Sequence, residues 1–175
     1  MAANSRLGRQ LTEILDALTR MGVQSALVGG LALSPHKVVR ATQDIDLLVD
    51  LAAADIVHSE VVRLGYTCLH RSADVANYQR HDERLDFLFA SRPVSRRLLA
   101  RAMEVNSSLG RVRVVSGEGL IGFKLQGVVN DPRRTQDLED IKALLRANRD
   151  TLDMVEVREY FKLFEREPLL DELIK

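Results

Sequence analysis

Val28-Gly29-Gly30, Asp44-Ile45-Asp46-Leu47 and Leu85-Asp86-Phe87 are the stretches on which the fold of this chain turns. Residues 23–28 carry no charge and read as a short buried strand that the glycine pair breaks. Residues 31–36 can then form one or two helical turns, with Pro35 early in the helix or at its exit. Residues 45–49 are β-branched and aliphatic and read as a second strand. Residues 75–80 and 85–89 flank the polar turn His81-Asp82-Glu83 and read as a hairpin. Along a strand, residues i and i+2 share a face. Asp44, Asp46 and Leu48 therefore lie opposite Ile45, Leu47 and Val49, while Asp86 and Leu88 lie opposite Leu85, Phe87 and Phe89. Laid side by side, the two strands would gather three carboxylates at the rim of a sheet whose other face is apolar.

Such a gathering is unfavourable by itself. Two carboxylates ~5 Å apart repel by roughly 3 kcal/mol at an effective dielectric near 20. A hard divalent cation removes the penalty, and Mg²⁺ takes one or two carboxylates together with substrate phosphates. Three carboxylates can hold two such ions, which align an in-line displacement at phosphorus. The glycines supply the complementary half, because backbone N–H groups without an adjacent Cβ can approach phosphate oxygens closely.

Outward from these segments, residues 7–18 carry leucine and isoleucine at helical spacing, with Asn4 or Ser5 as cap and Gly22 as stop. Asp50 can cap a helix over 52–64 that Gly65 closes. Residues 66–70 form a further strand, and Pro93 starts a helix running to 103. Residues 111–115 alternate basic and apolar, as an edge or half-exposed strand would. After Gly117 the texture becomes helical, with apolar clusters at 120–128, 138–145 and 155–164. The predicted architecture is a small mixed α/β (α+β) sheet flanked by helices over 1–115, followed by a C-terminal helical segment over 116–175.

Composition narrows the function classes. The chain has 175 residues, 46% hydrophobic and 29% charged, with 25 basic and 25 acidic side chains. A core is available without staples at this size, and a disordered tail, a collagen or a rod is excluded. Within the neutral total, residues 92–134 hold nine Lys/Arg against three acids, a local excess able to face a polyanion or to serve as solvated helix faces. Aromatics make up 5% with no Trp, which argues against a stacking platform for single-stranded RNA. The single cysteine, Cys68, excludes an internal disulfide and reads as a small buried hydrophobe. No apolar leader and no membrane-length apolar run occur, so a cytoplasmic protein is expected. The four histidines lack metal-ligand spacing, and no Walker loop or nucleophile elbow is present.

Val28-Gly29-Gly30, thirteen intervening residues and Asp44-Ile45-Asp46-Leu47 resemble the signature of the nucleotidyltransferase superfamily, the polymerase-β-like fold. The wording Arg40-x-Thr42-x-Asp44-Ile45-Asp46 is similar to its bacterial members. Val115-Ser116, Leu120-Ile121, Lys124, Arg133-Arg134, Asp137 and Asp140-Ile141 resemble the helical portion of the AbiEii/AbiGii-type toxin branch. The match runs over residues 23–146. It implies transfer of a nucleoside monophosphate from an NTP to a hydroxyl, with Mg²⁺ (two ions, Mn²⁺ as substitute) as cofactor. Asp44, Asp46 and Asp86 would be the metal ligands, and Asp86 would also assist deprotonation of the acceptor. Gly29, Gly30, Arg40, Thr42 and Lys124 would bind the nucleotide, and Asp137 would lie near the reaction.

The acceptor implied is the 3′ end of tRNA or another RNA, within a toxin–antitoxin system that supplies a cognate partner protein. Two alternatives stand beside it: an antitoxin-like enzyme that modifies a hydroxyl on a partner protein, and a nucleotide-binding scaffold without turnover. Individual side chains also keep plain readings. Arg40 can pair with a surface acid instead of a phosphate. The Lys124 stem can pack among Ile121, Phe123 and Leu125. Asp137 and Asp140, three apart at a helix start, suit the helix dipole.

Overall fold

The computed structural model describes residues 5–175. These form two compact units, one from the residues up to Leu31 together with Ala41–Val115, the other from Ala32–Arg40 together with Ser116–Lys175.

The first unit is built on a seven-stranded mixed sheet. Its strands are β1 (Ser25–Val28), β2 (Asp44–Asp50), β3 (Thr67–Arg71), β4 (Val75–Arg80), β5 (Glu83–Ala90), β6 (Met103–Ser107) and β7 (Gly110–Val114), in the order β3-β4-β5-β2-β1-β7-β6. β2 runs antiparallel to β1 and parallel to β5, and β4 folds back antiparallel on β5 as the hairpin expected from the sequence. Three helices accompany the sheet: α1 (Arg6–Arg20), α2 (Ala54–Arg63) and α3 (Pro93–Arg101). Leu11, Ile14 and Leu18 of α1 are buried, as their helical spacing predicts. Of the two caps expected for α1, Asn4 lies outside the described residues, and the Ser5 hydroxyl accepts from the Gly8 N–H at 3.0 Å.

α1 and α2 lie on the apolar face of the sheet, where Ile45, Leu47, Tyr78, Leu85 and Phe87 are buried. Polar groups pin the helices there. Gln10 donates to the Arg84 carbonyl (3.2 Å), Arg80 pairs with Glu13 (2.6 Å), and His58 meets the Tyr78 hydroxyl (3.0 Å). The opposite face carries Asp44, Asp46 and Asp86, with Leu48 buried further along the same side of β2 at 0% exposure.

Two sequence expectations need correction and two are narrowed. The helix from Pro93 stops at Arg101, and Met103 opens β6, which pairs with β7. Cross-strand pairing there overrides the weak helical preference of a short segment. Of the two readings of residues 111–115 the half-exposed strand holds, since β7 lies between β1 and β6 and not at an edge. Its alternation records one buried face, Val112 and Val114, while the Arg113 guanidinium donates to the carbonyls of Leu99 (2.9 Å), Ala102 (3.3 Å) and Ser25 (3.4 Å). Cys68 is only half-buried, because it sits on the sheet edge β3. The helical turns expected after Gly30 are present as a 3₁₀ helix, Leu31–His36, with Pro35 in its last turn.

The second unit consists of residues 32–40 and four helices: α4 (Gly117–Asn130), α5 (Thr135–Ala147), α6 (Met154–Leu163) and α7 (Glu167–Leu173), the last not foreseen. The Ser116 hydroxyl caps α4 through the Gly119 N–H (3.1 Å), and the Asp153 carboxylate caps α6. Leu120, Ile121, Leu125, Ile141, Leu144, Val157, Phe161 and Leu170 form its core, each at 0% exposure. Residues 32–40 are tied to α5 and its end. The Asn148 amide donates to the His36 carbonyl at 2.8 Å, and Arg40 pairs with Asp140 at 3.2 Å. Among the described residues, no helix is long and apolar enough to cross a membrane.

Candidate active site

β2 and β5 pair in parallel with Asp46 directly opposite Asp86 and Asp44 opposite Arg84. Residues paired across a parallel ladder point to the same side of the pleat. Asp44, Asp46 and Asp86 therefore share the face that α1 and α2 leave uncovered, and all three are half-buried. Adjacent strands lie about 4.8 Å apart, so the rows bring the carboxylates close enough to interact.

The first glycine of the pair is fitted to this rim. Val28 pairs with Asp46, so β1 delivers Gly29 beside that carboxylate. Gly29 adopts a φ of +67°, and a Cβ built on it would lie 2.6 Å from Asp46 Cγ. No side chain fits there. Gly30 follows and is buried, and the 3₁₀ helix begins at Leu31.

The electrostatics of the rim are those of crowded acids. Burial pushes the Asp86 carboxyl above its usual range. The donor character of the Asn77 side chain opposes that, the negative charge of Asp44 adds to it, and the cation of Arg84 partly offsets it. Asn77 stands opposite Asp86 in the β4–β5 ladder. Nothing in the sequence singled it out, although alternation with buried Ala76 and Tyr78 places it on the carboxylate face. The donor set is all oxygen, which suits a hard divalent cation completed by phosphate and water. Among the described residues, no group of three His, Cys, Asp or Glu side chains is placed to hold a metal ion by itself.

The remaining candidates belong to the second unit, Thr42 excepted; Thr42 is half-buried in the segment leading into β2. Lys124 is 6% exposed, and its ammonium donates to Asp140 (2.6 Å) and Asp137 (3.2 Å). Arg134 closes on the other oxygen of Asp137 at 2.7 Å. Asp140 also accepts from Gln136 (3.1 Å) and pairs with Arg40 (3.2 Å). Asp137 comes so close to α4 that a Cβ at Gly127 would meet its Oδ2 at 2.7 Å. The sequence placed Asp137 and Asp140 three apart on one helix face, and Lys124 and Gly127 are likewise three apart in α4. It did not reveal that these faces meet, nor that Asp140, buried at 2%, joins Lys124 to Arg40.

No protein-family model matches the sequence, and no curated protein matches it. Solved structures do. The antibiotic-resistance factor ANT(2'')-Ia superposes with a TM-score of 0.67 at 18% identity, over 94% of each chain. The lincosamide antibiotic adenylyltransferase LnuA, in its lincomycin-bound form, gives 0.59 at 19% identity over 78% of this chain and 94% of that one. An antigenic nucleotidyltransferase-like protein from Paracoccidioides brasiliensis gives 0.59 at 15% identity over 98% and 93%. The chain has the nucleotidyltransferase fold.

Proposed function

We propose that this chain is a nucleotidyltransferase that moves a nucleoside monophosphate from an NTP to a hydroxyl acceptor and releases pyrophosphate. The observation that carries this reading is the row formed by Asp46 and Asp86 in register, with Asp44 on the same face and Gly29 against it. Crowded acids beside a side-chain-free turn are costly in an empty protein and useful only where cationic and phosphate charge come together.

Asp44, Asp46 and Asp86 would hold Mg²⁺, which when bound supplies charge neutralisation for the triphosphate and the leaving pyrophosphate. The Gly29-Gly30 turn presents backbone where the triphosphate would lie. Asp86, whose carboxyl burial pushes upward, suits the task of taking the proton from the attacking hydroxyl. As that hydroxyl attacks phosphorus, its O–H proton passes to the carboxylate and the bond to pyrophosphate breaks on the opposite side. Thr42, in the segment leading into β2, remains a proposed nucleotide-side group. Lys124, Arg40 and Asp137, the other residues proposed for that role, pair with one another and with Asp140 in the ion network of the second unit.

A small hydroxyl-bearing acceptor is favoured. The fold neighbours include a complex of ANT(2'')-Ia with adenylyl-2''-tobramycin, matched over 92% of this chain and 98% of that one at a TM-score of 0.67. Part of the basic stretch is engaged within the chain. Arg96 pairs with Asp50, Arg111 with Glu104, Arg133 with Asp131 and Arg134 with Asp137, while Arg113 serves backbone carbonyls and Lys124 is buried. The second reading, an AbiEii-like toxin acting on the 3′ end of tRNA, rests on the resemblance of residues 115–146 to that branch.

Incubation of the protein with each α-labelled NTP, Mg²⁺ and one acceptor class at a time tests both readings. The acceptors are a panel of hydroxyl-rich small molecules, total tRNA, and a lysate as protein source. Label on a small molecule supports the first reading and label on tRNA the second. Label on a protein moves the assignment to a partner-modifying enzyme, and saturable NTP binding with no transfer to any class overturns enzymatic turnover.

A further inference from the structure

Asp86 has unlike neighbours on its two flanks. The register across the sheet runs His70 on β3, Asn77 on β4, Asp86 on β5, Asp46 on β2 and Val28 on β1. On the β2 side stands a carboxylate, and on the β4 side the Asn77 carboxamide, directly opposite Asp86 in the ladder and acting on its carboxyl as a donor would, by holding it lower. Asn77 is half-buried, and the residues before and after it, Ala76 and Tyr78, anchor β4 on the apolar face at 0% and 1% exposure. The amide is thus carried by a strand with little freedom to shift.

A carboxylate turns about its Cβ–Cγ bond in a broad, roughly twofold well. Without a partner on β4, repulsion from Asp44 and Asp46 would swing Asp86 away from the acids it must work beside. An N–H donor on the far flank takes one lone-pair site and leaves the others to face the β2 side. The residue type matters. An amide donates without adding charge, a lysine or arginine would neutralise Asp86 and compete with a metal, and an apolar side chain would leave it unheld.

We propose that Asn77 is the positioning residue for Asp86, holding the third carboxylate from the β4 side in the orientation that a shared divalent-ion site with Asp44 and Asp46 requires. The proposal rests on the nucleotidyltransferase reading and deepens it by one residue. Groups that orient metal ligands typically contribute 10–100-fold in affinity.

Free Mn²⁺ is measured by its EPR signal during titration of the full chain with a non-hydrolysable NTP analogue present. Wild type is compared with Asn77→Ala, Asn77→Ser and, as a control on the same strand face, Gln79→Ala. The expected result is an Mn²⁺ affinity weakened on the order of 10-fold or more in Asn77→Ala. Partial recovery is expected in Asn77→Ser, which keeps a donor, and no change in Gln79→Ala. Should Asn77→Ala fail to fold, the Asn77→Ser affinity decides, since a residue of purely structural importance would leave Mn²⁺ binding untouched in any folded variant. Wild-type affinity in the folded Asn77 variants overturns this proposal alone. Absence of Mn²⁺ binding by wild type overturns the nucleotidyltransferase reading and this proposal with it.

Discussion

Gly29 and Asp46 occupy space that only one side chain can use: a Cβ on the glycine would lie 2.6 Å from the Asp46 Cγ. Gly22 provides a matched control, because its φ is +68° against +67° and nothing lies within 4 Å of its virtual Cβ. Alanine at either site carries the left-handed backbone cost of about 1–2 kcal/mol. Only at Gly29 must Asp46 also move. Gly22→Ala is expected to lower Tm by a few degrees and leave nucleotidyl transfer unchanged. Gly29→Ala should lose transfer altogether and fall further in Tm. Equal behaviour of the two variants would remove the Gly29–Asp46 packing from the account.

The acid cluster is expected to destabilise the protein when metal is withheld. Repulsion between carboxylates ~5 Å apart is roughly 3 kcal/mol at an effective dielectric near 20. Asp46→Asn or Asp86→Asn should therefore raise Tm in EDTA, or leave it unchanged, while abolishing transfer. A fall of several degrees in EDTA would mean that the acids stabilise the fold, contrary to this reading.

In the second unit the opposite holds. Lys124 is buried between Asp137 and Asp140, so removing its charge leaves two acids with only Arg134 and Arg40 to compensate. Breaking a buried ion network by one partner costs about 3–5 kcal/mol. Lys124→Ala should lower the denaturant-derived unfolding free energy by about that amount, and Lys124→Met with Asp140→Asn should recover part of it. A loss below about 1 kcal/mol would indicate a surface-like pair.

Two phenols govern alkaline behaviour. Burial pushes Tyr66 and Tyr78 up to about 12, each at 2% exposure or less. A raised folded-state value means their stabilising contribution is complete below the ordinary tyrosine range near 10 and is lost as pH climbs through about 12. The loss is on the order of 2 kcal/mol per phenol. Ultraviolet titration should show these tyrosines ionising late, with unfolding free energy falling between pH 10 and 12. Early ionisation of all tyrosines in a folded chain would contradict their burial.

The carboxylate face was legible because period-2 alternation fixes which side of a strand each residue takes, and Asp44, Asp46 and Asp86 obey it. The pairing of β2 with β5 followed from the same pattern, since two strands with one acidic and one apolar face bury best when aligned. What stayed hidden depends on contacts between distant segments. Asn77 looks like any polar strand residue until β4 is in register with β5. Asp140 looks like part of a helix start until α5 meets α4 and Arg40. β6 was missed because its alternation, Met103-Glu104-Val105-Asn106, is short and adjoins the helix from Pro93, so that pairing with β7 decides its form. The chemistry-bearing acids were thus readable locally, whereas the residues that hold them were not.

Asp44, Asp46 and Asp86 are proposed to hold divalent metal beside an NTP. A crystal grown with Mg²⁺ and a non-hydrolysable NTP analogue measures this directly. Metal density is expected within bonding distance of these carboxylates, and phosphate density against Gly29 and Gly30. Clear analogue density elsewhere, with no ion among the three acids, would contradict it.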